Sequence, residues 1–156
     1  MKTRREFLVL ACGAFASAAA EAQLTPNIAA LRRAALEQAV RKVVGTATLR
    51  SGRVKLDLPP LIENGNSVPL TVTVDSPMTE ADHVRSIHVF TEKNPQPNVI
   101  SAYIGPRAGR ARLLTRARIA DTGTVTAVAQ LSDGSFWSDS VQVVVTLSAC
   151  LEDGLI

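Results

Sequence analysis

Alternating hydrophobic and polar positions dominate the chain from Arg53 to Leu147. Val54, Leu56 and Leu58 alternate with charged residues, and alternation with a period of two predicts a half-buried β-strand. Further segments of this type are separated by turn residues at intervals of about 8 to 12 positions. They comprise residues 68–74, 84–91, 99–104, 111–120, 125–131 and a strand that begins at Phe136. About seven short strands with this spacing predict an all-β fold, an antiparallel β-sandwich.

A helical period precedes the strands, in residues 27–44. Gly45 stands where a helix-terminating glycine is expected, and the segment is rich in good helix formers. The apolar residues that recur at roughly helical spacing are Leu31, Ala35, Val40 and Val43. We therefore expect one N-terminal helix, whose basic side is solvated rather than bound to a membrane surface.

The N-terminus has the three parts of an export signal. Thr3-Arg4-Arg5-Glu6-Phe7-Leu8 looks like a twin-arginine motif, and an apolar stretch leads from it to Ala20-Glu21-Ala22. We expect residues 1–22 to be a twin-arginine signal peptide, with a mature periplasmic chain that begins near Gln23. The alternative is lipidation at Cys12, but only about five apolar residues precede it, fewer than an export signal needs.

The charge and the aromatic content exclude several classes of protein. Residues 23–156 carry 14 basic and 12 acidic side chains, so the mature net charge of about +2 is too weak to indicate nucleic-acid binding. One Trp and one Tyr provide no platform for stacking bases. The longest apolar run, residues 7–20, is too short for a transmembrane helix. We expect no nucleic-acid partner and no membrane span.

The last predicted strand runs directly into a cysteine. Val141, Val143, Val145 and Leu147 are predicted to face one side, with Val144 the one apolar residue on the polar side. If the signal peptide is removed, Cys150 is the only thiol, and a lone thiol stays free, pairs with another chain or carries an adduct. The sequence predicts a β-sandwich that presents this thiol to other proteins. The alternative is an inert small residue that closes the strand.

Other residues offer weaker candidates for chemistry. His83 and His88 have no third nitrogen or sulfur ligand nearby in sequence, so we expect structural histidines and no metal or cofactor. No catalytic motif is present, and we expect no enzymatic activity from this chain alone. An arginine-rich run extends from Arg107 to Arg118 without an acidic residue. It is either a solvated strand face or a surface that attracts anions or partners.

Four residues are candidates for docking a partner. Arg112, Arg116 and Arg118 are predicted to face outward, and Arg suits polar interfaces. Trp137 is predicted to pack in the core or in an interface rather than to bind a ligand.

Five segments cover most of the chain from Arg53 to Leu147 and form one ordered set. The segments are Val74-Asp75-Ser76-Pro77-Met78-Thr79, Ile87-His88-Val89-Phe90, Glu92-Lys93-Asn94-Pro95 with Pro97-Asn98-Val99, Gly105-Pro106-Arg107-Ala108-Gly109 and Ser132-Asp133-Gly134-Ser135-Phe136-Trp137-Ser138-Asp139-Ser140. Taken together and in order, they resemble the SoxY family, the sulfur-compound carriers of bacterial thiosulfate oxidation.

The resemblance implies an immunoglobulin-like sandwich that forms a heterodimer with a SoxZ-like sandwich protein. It also implies a C-terminal arm whose cysteine carries the sulfur group, which periplasmic enzymes of the cytochrome or thiol hydrolase type load and process. By position, Cys150 is the attachment residue. The implied organisation is a signal peptide (1–22), a helix and linker (23–52), a SoxY-like sandwich (53–147) and a cysteine arm (148–156).

The arm departs from the glycine-rich Gly-Gly-Cys-Gly-Gly pattern of the family. Ser148 and Ala149 precede Cys150, and Leu151 and Glu152 follow it, which resembles a subgroup whose arm reads Ala-Ala-Cys-Ile-Glu. Such an arm is thicker and stiffer than a glycine thread, and nearby carboxylates disfavour the thiolate. Two hypotheses remain: a sulfur carrier, or a docking and assembly subunit of an oxidoreductase that has lost carrier chemistry. A third, a metal chaperone, predicts tight copper or zinc binding.

Overall fold

The computed structural model describes residues 28–147, so the predicted signal peptide and cysteine arm lie outside the described residues. The chain divides between Leu31 and Arg32 into two units, and every described strand lies in the second. The described elements are helix α1 (Ile28–Val44), strands β1 (Leu49–Arg50), β2 (Val54–Asp57), β3 (Leu61–Ile62), β4 (Val68–Val74), β5 (Val84–Thr91), β6 (Asn98–Tyr103), β7 (Arg112–Ala117), β8 (Gly123–Leu131) and β9 (Phe136–Val145), and a 3₁₀ turn at Pro106–Ala108. In this part of the chain, no helix has the length and apolar character needed to cross a membrane.

The strands form two sheets. The first has the order β1-β9-β8-β5-β6, with β3 also paired to β9, and the second has the order β2-β4-β7. Seven of the nine described strands have four or more residues, and every pairing among these seven is antiparallel. This confirms the predicted antiparallel sandwich of about seven strands. The two-residue strands β1 and β3 add parallel pairs along β9.

The core lies between the sheets because alternate residues of each strand point inward. Val72 of β4 is fully buried and pairs with Leu56 of β2 and Leu113 of β7. From the first sheet, Ile87 and Val89 of β5 pack into the same cluster. Each fully buried aliphatic side chain of this kind stabilises the fold by about 1.5–3 kcal/mol.

Helix α1 covers a smaller apolar cluster on the other face of the first sheet. Phe90, Val128 and Phe136 are buried there, and the helix packs on them through residues of its C-terminal half: Leu36, Ala39, Val40, Val43 and Val44. The predicted helix is therefore confirmed, although Leu31 (57% exposed) and Ala35 do not belong to the packed face. The first sheet is covered on both sides at β5, which explains why seven of its eight residues are buried.

Gly45 ends α1 as the sequence predicts. Its φ of +62° lies in the left-handed region, and its amide donates to the carbonyl of Arg41 (2.8 Å). This satisfies one of the carbonyl groups that the end of a helix leaves without an internal partner.

Candidate functional site

The predicted attachment residue and its neighbours lie outside the described residues. They are Cys150, Ser148, Ala149, Leu151 and Glu152, and their roles stay predictions. The structure describes the place from which this arm leaves the sandwich.

The arm root, Thr146–Leu147, is tied to the connection between β3 and β4. The amide of Thr146 donates to the carbonyl of Ile62 (2.9 Å), and its hydroxyl donates to the carbonyl of Glu63 (3.1 Å). These bonds continue the parallel pairing of β3 with β9 beyond the end of both strands.

A second set of hydrogen bonds connects the arm root to the chain just beyond the second sheet. The carbonyl of Leu147 accepts a hydrogen bond from the amide of Gly65 (3.0 Å), and the carbonyl of Gly65 accepts one from the amide of Ile119 (2.8 Å). Ile119 is buried just beyond β7. The last described residue is therefore held by backbone bonds, and Cys150 follows it by three positions.

The prediction that Leu147 shares the buried face of β9 is wrong. Val143 and Val145 are buried and Val141 is half-buried, but the Leu147 side chain is 58% exposed. The strand ends at Val145, and the backbone bends toward Gly65, so the alternation of the strand no longer applies.

Exposed apolar side chains surround the arm root. Val144 lies on the polar side of β9, as predicted, and pairs with Leu61 of β3. Both side chains are exposed, as is that of Leu147. Leu61 gave no signal in the sequence because a two-residue strand shows no alternation.

The three predicted docking arginines are exposed. Arg112 and Arg116 belong to β7, an edge strand of the second sheet, and Arg118 follows its end. We call these three residues the basic face. The register places Arg112 in one row with Thr73 of β4 and Lys55 of β2. Within residues 28–147, no carboxylate forms an ion pair with the basic face.

An open groove of about 610 Å³ lies beside Arg112. Its lining includes the positive side chains of Arg53, Lys55, Arg110 and Arg112 and the negative side chains of Asp57 and Asp75. The positive side chains outnumber the negative ones, although both signs of charge are present.

Trp137 does not join the basic face, because β9 belongs to the first sheet. Its side chain is half-buried against the core, and its indole Nε1 donates to Ser135 Oγ (2.9 Å). The guanidinium carbons of Arg50 and Arg53 each lie 5.8 Å from the ring centroid, within cation–π range. The ring thus packs between a core and two cations.

Both histidines form hydrogen bonds within the fold. His88 is only 4% exposed, with Nδ1 2.9 Å from Ser101 Oγ and Nε2 3.0 Å from Ser86 Oγ. Burial lowers the pKa of His88 below its usual value. His83 Nδ1 lies 3.1 Å from the carbonyl of Thr79. Among residues 28–147, no group of three or more His, Cys, Asp or Glu side chains is arranged to hold a metal.

Comparison with known protein families gives one match. The family model described as "Sulfur oxidation protein SoxY" matches residues 40–150, more than two-thirds of the chain. The chain belongs to the SoxY family. No curated protein matches this SoxY sequence closely enough to add to the comparison.

Solved structures of similar fold include a member of the SoxY family and proteins from outside it. The sulfur carrier protein SoxY from Chlorobium limicola f thiosulfatophilum is 27% identical, with a TM-score of 0.61, over 74% of this chain and 99% of that protein. A superoxide reductase (Neelaredoxin) from Ignicoccus hospitalis is 14% identical, with a TM-score of 0.52, over 60% and 80% of the two chains. A superoxide reductase from Nanoarchaeum equitans is 9% identical, with a TM-score of 0.52, over 62% and 100%. The two reductases share the fold alone.

The last of the five SoxY segments builds the β8–β9 hairpin. The Asp133 carboxylate accepts bonds from the hydroxyl (2.6 Å) and the amide (2.8 Å) of Ser135, and these bonds lower the pKa of Asp133. Gly134 has a φ of +82°, a conformation that glycine adopts without strain. The Asp139 carboxylate accepts from the amide of Leu56 (2.8 Å) and so connects the two sheets.

In other SoxY segments, side chains form hydrogen bonds with the backbone that stabilise turns and loops. The side chain of Asn94 accepts from the amide of Ala120 (2.8 Å) and donates to the carbonyl of Arg118 (2.8 Å). The hydroxyl of Ser76 accepts from the amide of Met78 (3.2 Å), a residue with a φ of +53°. The contacts of these residues stabilise the fold.

Proposed function

We propose that this SoxY-family chain is a periplasmic sulfur carrier that holds sulfur intermediates covalently on Cys150. The observation that carries the proposal is the extent of the family match, which runs to Cys150 itself. The 27% identical SoxY from Chlorobium limicola f thiosulfatophilum is a sulfur carrier protein. The arm root supports the proposal, because only Ser148 and Ala149 separate the anchored Leu147 from the thiol.

The chemistry begins with the Cys150 thiolate, since the thiol itself is a poor nucleophile. The thiolate forms one S–S bond to the terminal sulfur of thiosulfate, and the two electrons released pass to a cytochrome-type partner enzyme. A partner of the thiol hydrolase type then uses water to release the sulfonate as sulfate, without net redox change, and leaves a persulfide on Cys150. The carrier chain itself turns over no substrate.

The partner we propose is a SoxZ-like sandwich, with which the chain forms a heterodimer. The twin-arginine motif at Arg4-Arg5 fits this proposal, because that export route moves folded proteins and so permits the partner to bind before export. Residues 1–22 would be removed, which leaves Cys150 as the only thiol.

The test is intact-mass spectrometry of the chain purified from cells grown on thiosulfate. We expect added sulfur masses that a reducing agent removes and that are absent in Cys150→Ser. Cys12→Ser is the matched control, and we expect it to keep the adducts and to support normal growth on thiosulfate.

A persistently bare thiol, together with unchanged growth of Cys150→Ser on thiosulfate, would contradict the carrier proposal. That result would favour the docking and assembly subunit, for which the replacement of the arm glycines by Leu151 and Glu152 is the motivating observation.

A further inference from the structure

Two exposed arginines lie at the end of the sandwich from which the arm leaves. Arg116 is the outward residue of β7 opposite Pro69, near the start of β4, and Arg118 lies directly before Ile119. Neither forms an ion pair within residues 28–147. Cations without a fixed partner are available to a segment that carries negative charge.

The acidic residues that flank the arginine-rich run in sequence are already engaged. Asp121, three positions after Arg118, lies 3.6 Å from Lys93 Nζ. Glu92 lies 3.8 Å from Arg33 Nε. The first acidic residue on each side of the arginine-rich run therefore has another partner. Glu63, two positions before Gly65, forms no ion pair within residues 28–147 and is the competing carboxylate that the test has to separate from the arm.

The hydrogen bonds through Gly65 limit the distance from the arm root to these arginines. Leu147 accepts from the amide of Gly65 (3.0 Å), and the carbonyl of Gly65 accepts from Ile119 (2.8 Å). The two bonds and one residue of backbone place the carbonyl oxygen of Leu147 within about 10 Å of the amide of Ile119. Arg118 is the residue before Ile119.

The predicted arm is long enough to reach Arg116 and Arg118 and carries the opposite charge. Glu152 and Asp153 follow Leu147 by five and six residues, and five extended residues span up to about 17 Å. Their carboxylates suit the bidentate geometry of guanidinium groups.

We propose that Glu152 and Asp153 dock on Arg116 and Arg118 of the same chain. The contact holds Cys150 beside the sandwich, and it neutralises the two carboxylates that otherwise disfavour the thiolate. Because the arginines are exposed, the contact weakens as salt screens the charges. The proposal is independent of whether Cys150 carries sulfur.

Zero-length carbodiimide cross-linking of the full-length chain tests this contact. The reagent joins a carboxylate to a lysine amine, so Arg118→Lys and Arg116→Lys convert the proposed ion pairs into amides that peptide mass spectrometry identifies. The control is Arg107→Lys, in the 3₁₀ turn beside Met78 and Glu80, beyond the opposite end of β4. The existing Lys93–Asp121 pair provides an internal positive control.

We expect links from positions 116 and 118 to Glu152 or Asp153 at a yield at least about fivefold that of the Arg107→Lys control in dilute buffer, and a large loss near 1 M salt. Equal yields at the three positions, while the Lys93–Asp121 link forms, would overturn the proposal. So would links that go to Glu63 instead of the arm. An equal mixture of isotopically light and heavy chains completes the test. Links within one chain give no mixed light–heavy products, whereas mixed products amounting to about half of the links would assign the site to the arm of a second copy.

Discussion

The Asn94 side chain forms hydrogen bonds with two backbone groups that lie 24 and 26 residues away along the chain. We expect Asn94→Ala to lower the free energy of unfolding by about 1–3 kcal/mol, because the amide of Ala120 and the carbonyl of Arg118 both lose a partner. Urea unfolding followed by Trp137 fluorescence measures the change. Gln96→Ala removes an exposed amide from the same turn, and we expect a change within about 0.5 kcal/mol. Equal effects of the two substitutions would show that the Asn94 bonds contribute nothing.

The neutral form of His88 suits its surroundings. Both ring nitrogens face serine hydroxyls, which can donate or accept, and the ring packs beside Phe90 and edge-on to Tyr103. The free-energy cost of protonating the ring therefore comes from the desolvation of its charge and not from the loss of a hydrogen bond. Because burial lowers the folded-state pKa, the unfolded chain binds the proton more readily. The stabilisation that His88 provides is complete above the unfolded pKa of about 6.5 and is lost as the pH falls toward the folded-state pKa.

Because the folded-state pKa of His88 is lowered, the stability of the protein should fall as the pH is lowered. Between pH 7.5 and 5.5, the wild-type chain should lose more unfolding free energy than His88→Gln, by at most about 1.4 kcal/mol per pH unit, the slope for one proton. Chemical denaturation at several pH values measures it. His83→Gln, which keeps His88 in place, is the matched control for the removal of a histidine. If His88→Gln had the same slope as wild type, another group would be responsible.

At the scale of elements, α1 is held by one packed face. Val40 contacts the cluster around Phe90, whereas Ala35 is exposed. We expect Val40→Asp to destabilise the protein by roughly 1–3 kcal/mol, because a charge replaces an apolar contact. Ala35→Asp introduces the same residue on the exposed side and should change stability by about 0.5 kcal/mol or less. Thermal unfolding of both variants measures the difference, and equal losses would mean that α1 does not depend on this face.

The elements that could be predicted are those long enough to show a period. β4 alternates fully between buried and exposed or half-buried positions over seven residues, and Gly45 ends the helix where predicted. β1 and β3 could not be predicted, since two residues show no period and their parallel pairing with β9 depends on the assembled sheet. The prediction for Leu147 was wrong for a similar reason. A hydrogen bond to Gly65, and not the alternation of β9, determines the direction of the backbone at Leu147.

At the scale of the whole molecule, the sandwich does not identify the chemistry. Superoxide reductases share it with TM-scores of 0.52 at 14% and 9% identity, and one fold supports many functions. The candidate site could be predicted only as residue positions. Cys150 follows from its place in the chain and stays a prediction, and the exposed arginines of the basic face follow from alternation along the predicted strand 111–120. The tie between Leu147, Gly65 and Ile119 could not be predicted, because it joins residues 54 and 82 positions apart.

That tie has a mechanical consequence. A force applied to residue 150, for example when another protein draws on the tail, reaches Leu147 first and then passes through Gly65 to Ile119. It also reaches the β3 end of the chain through Thr146. The load is therefore divided among these hydrogen bonds before it reaches the pairing of β9 with β8. The anchorage of the chain at Leu147 is thus separate from the ladder that joins β9 to the rest of its sheet.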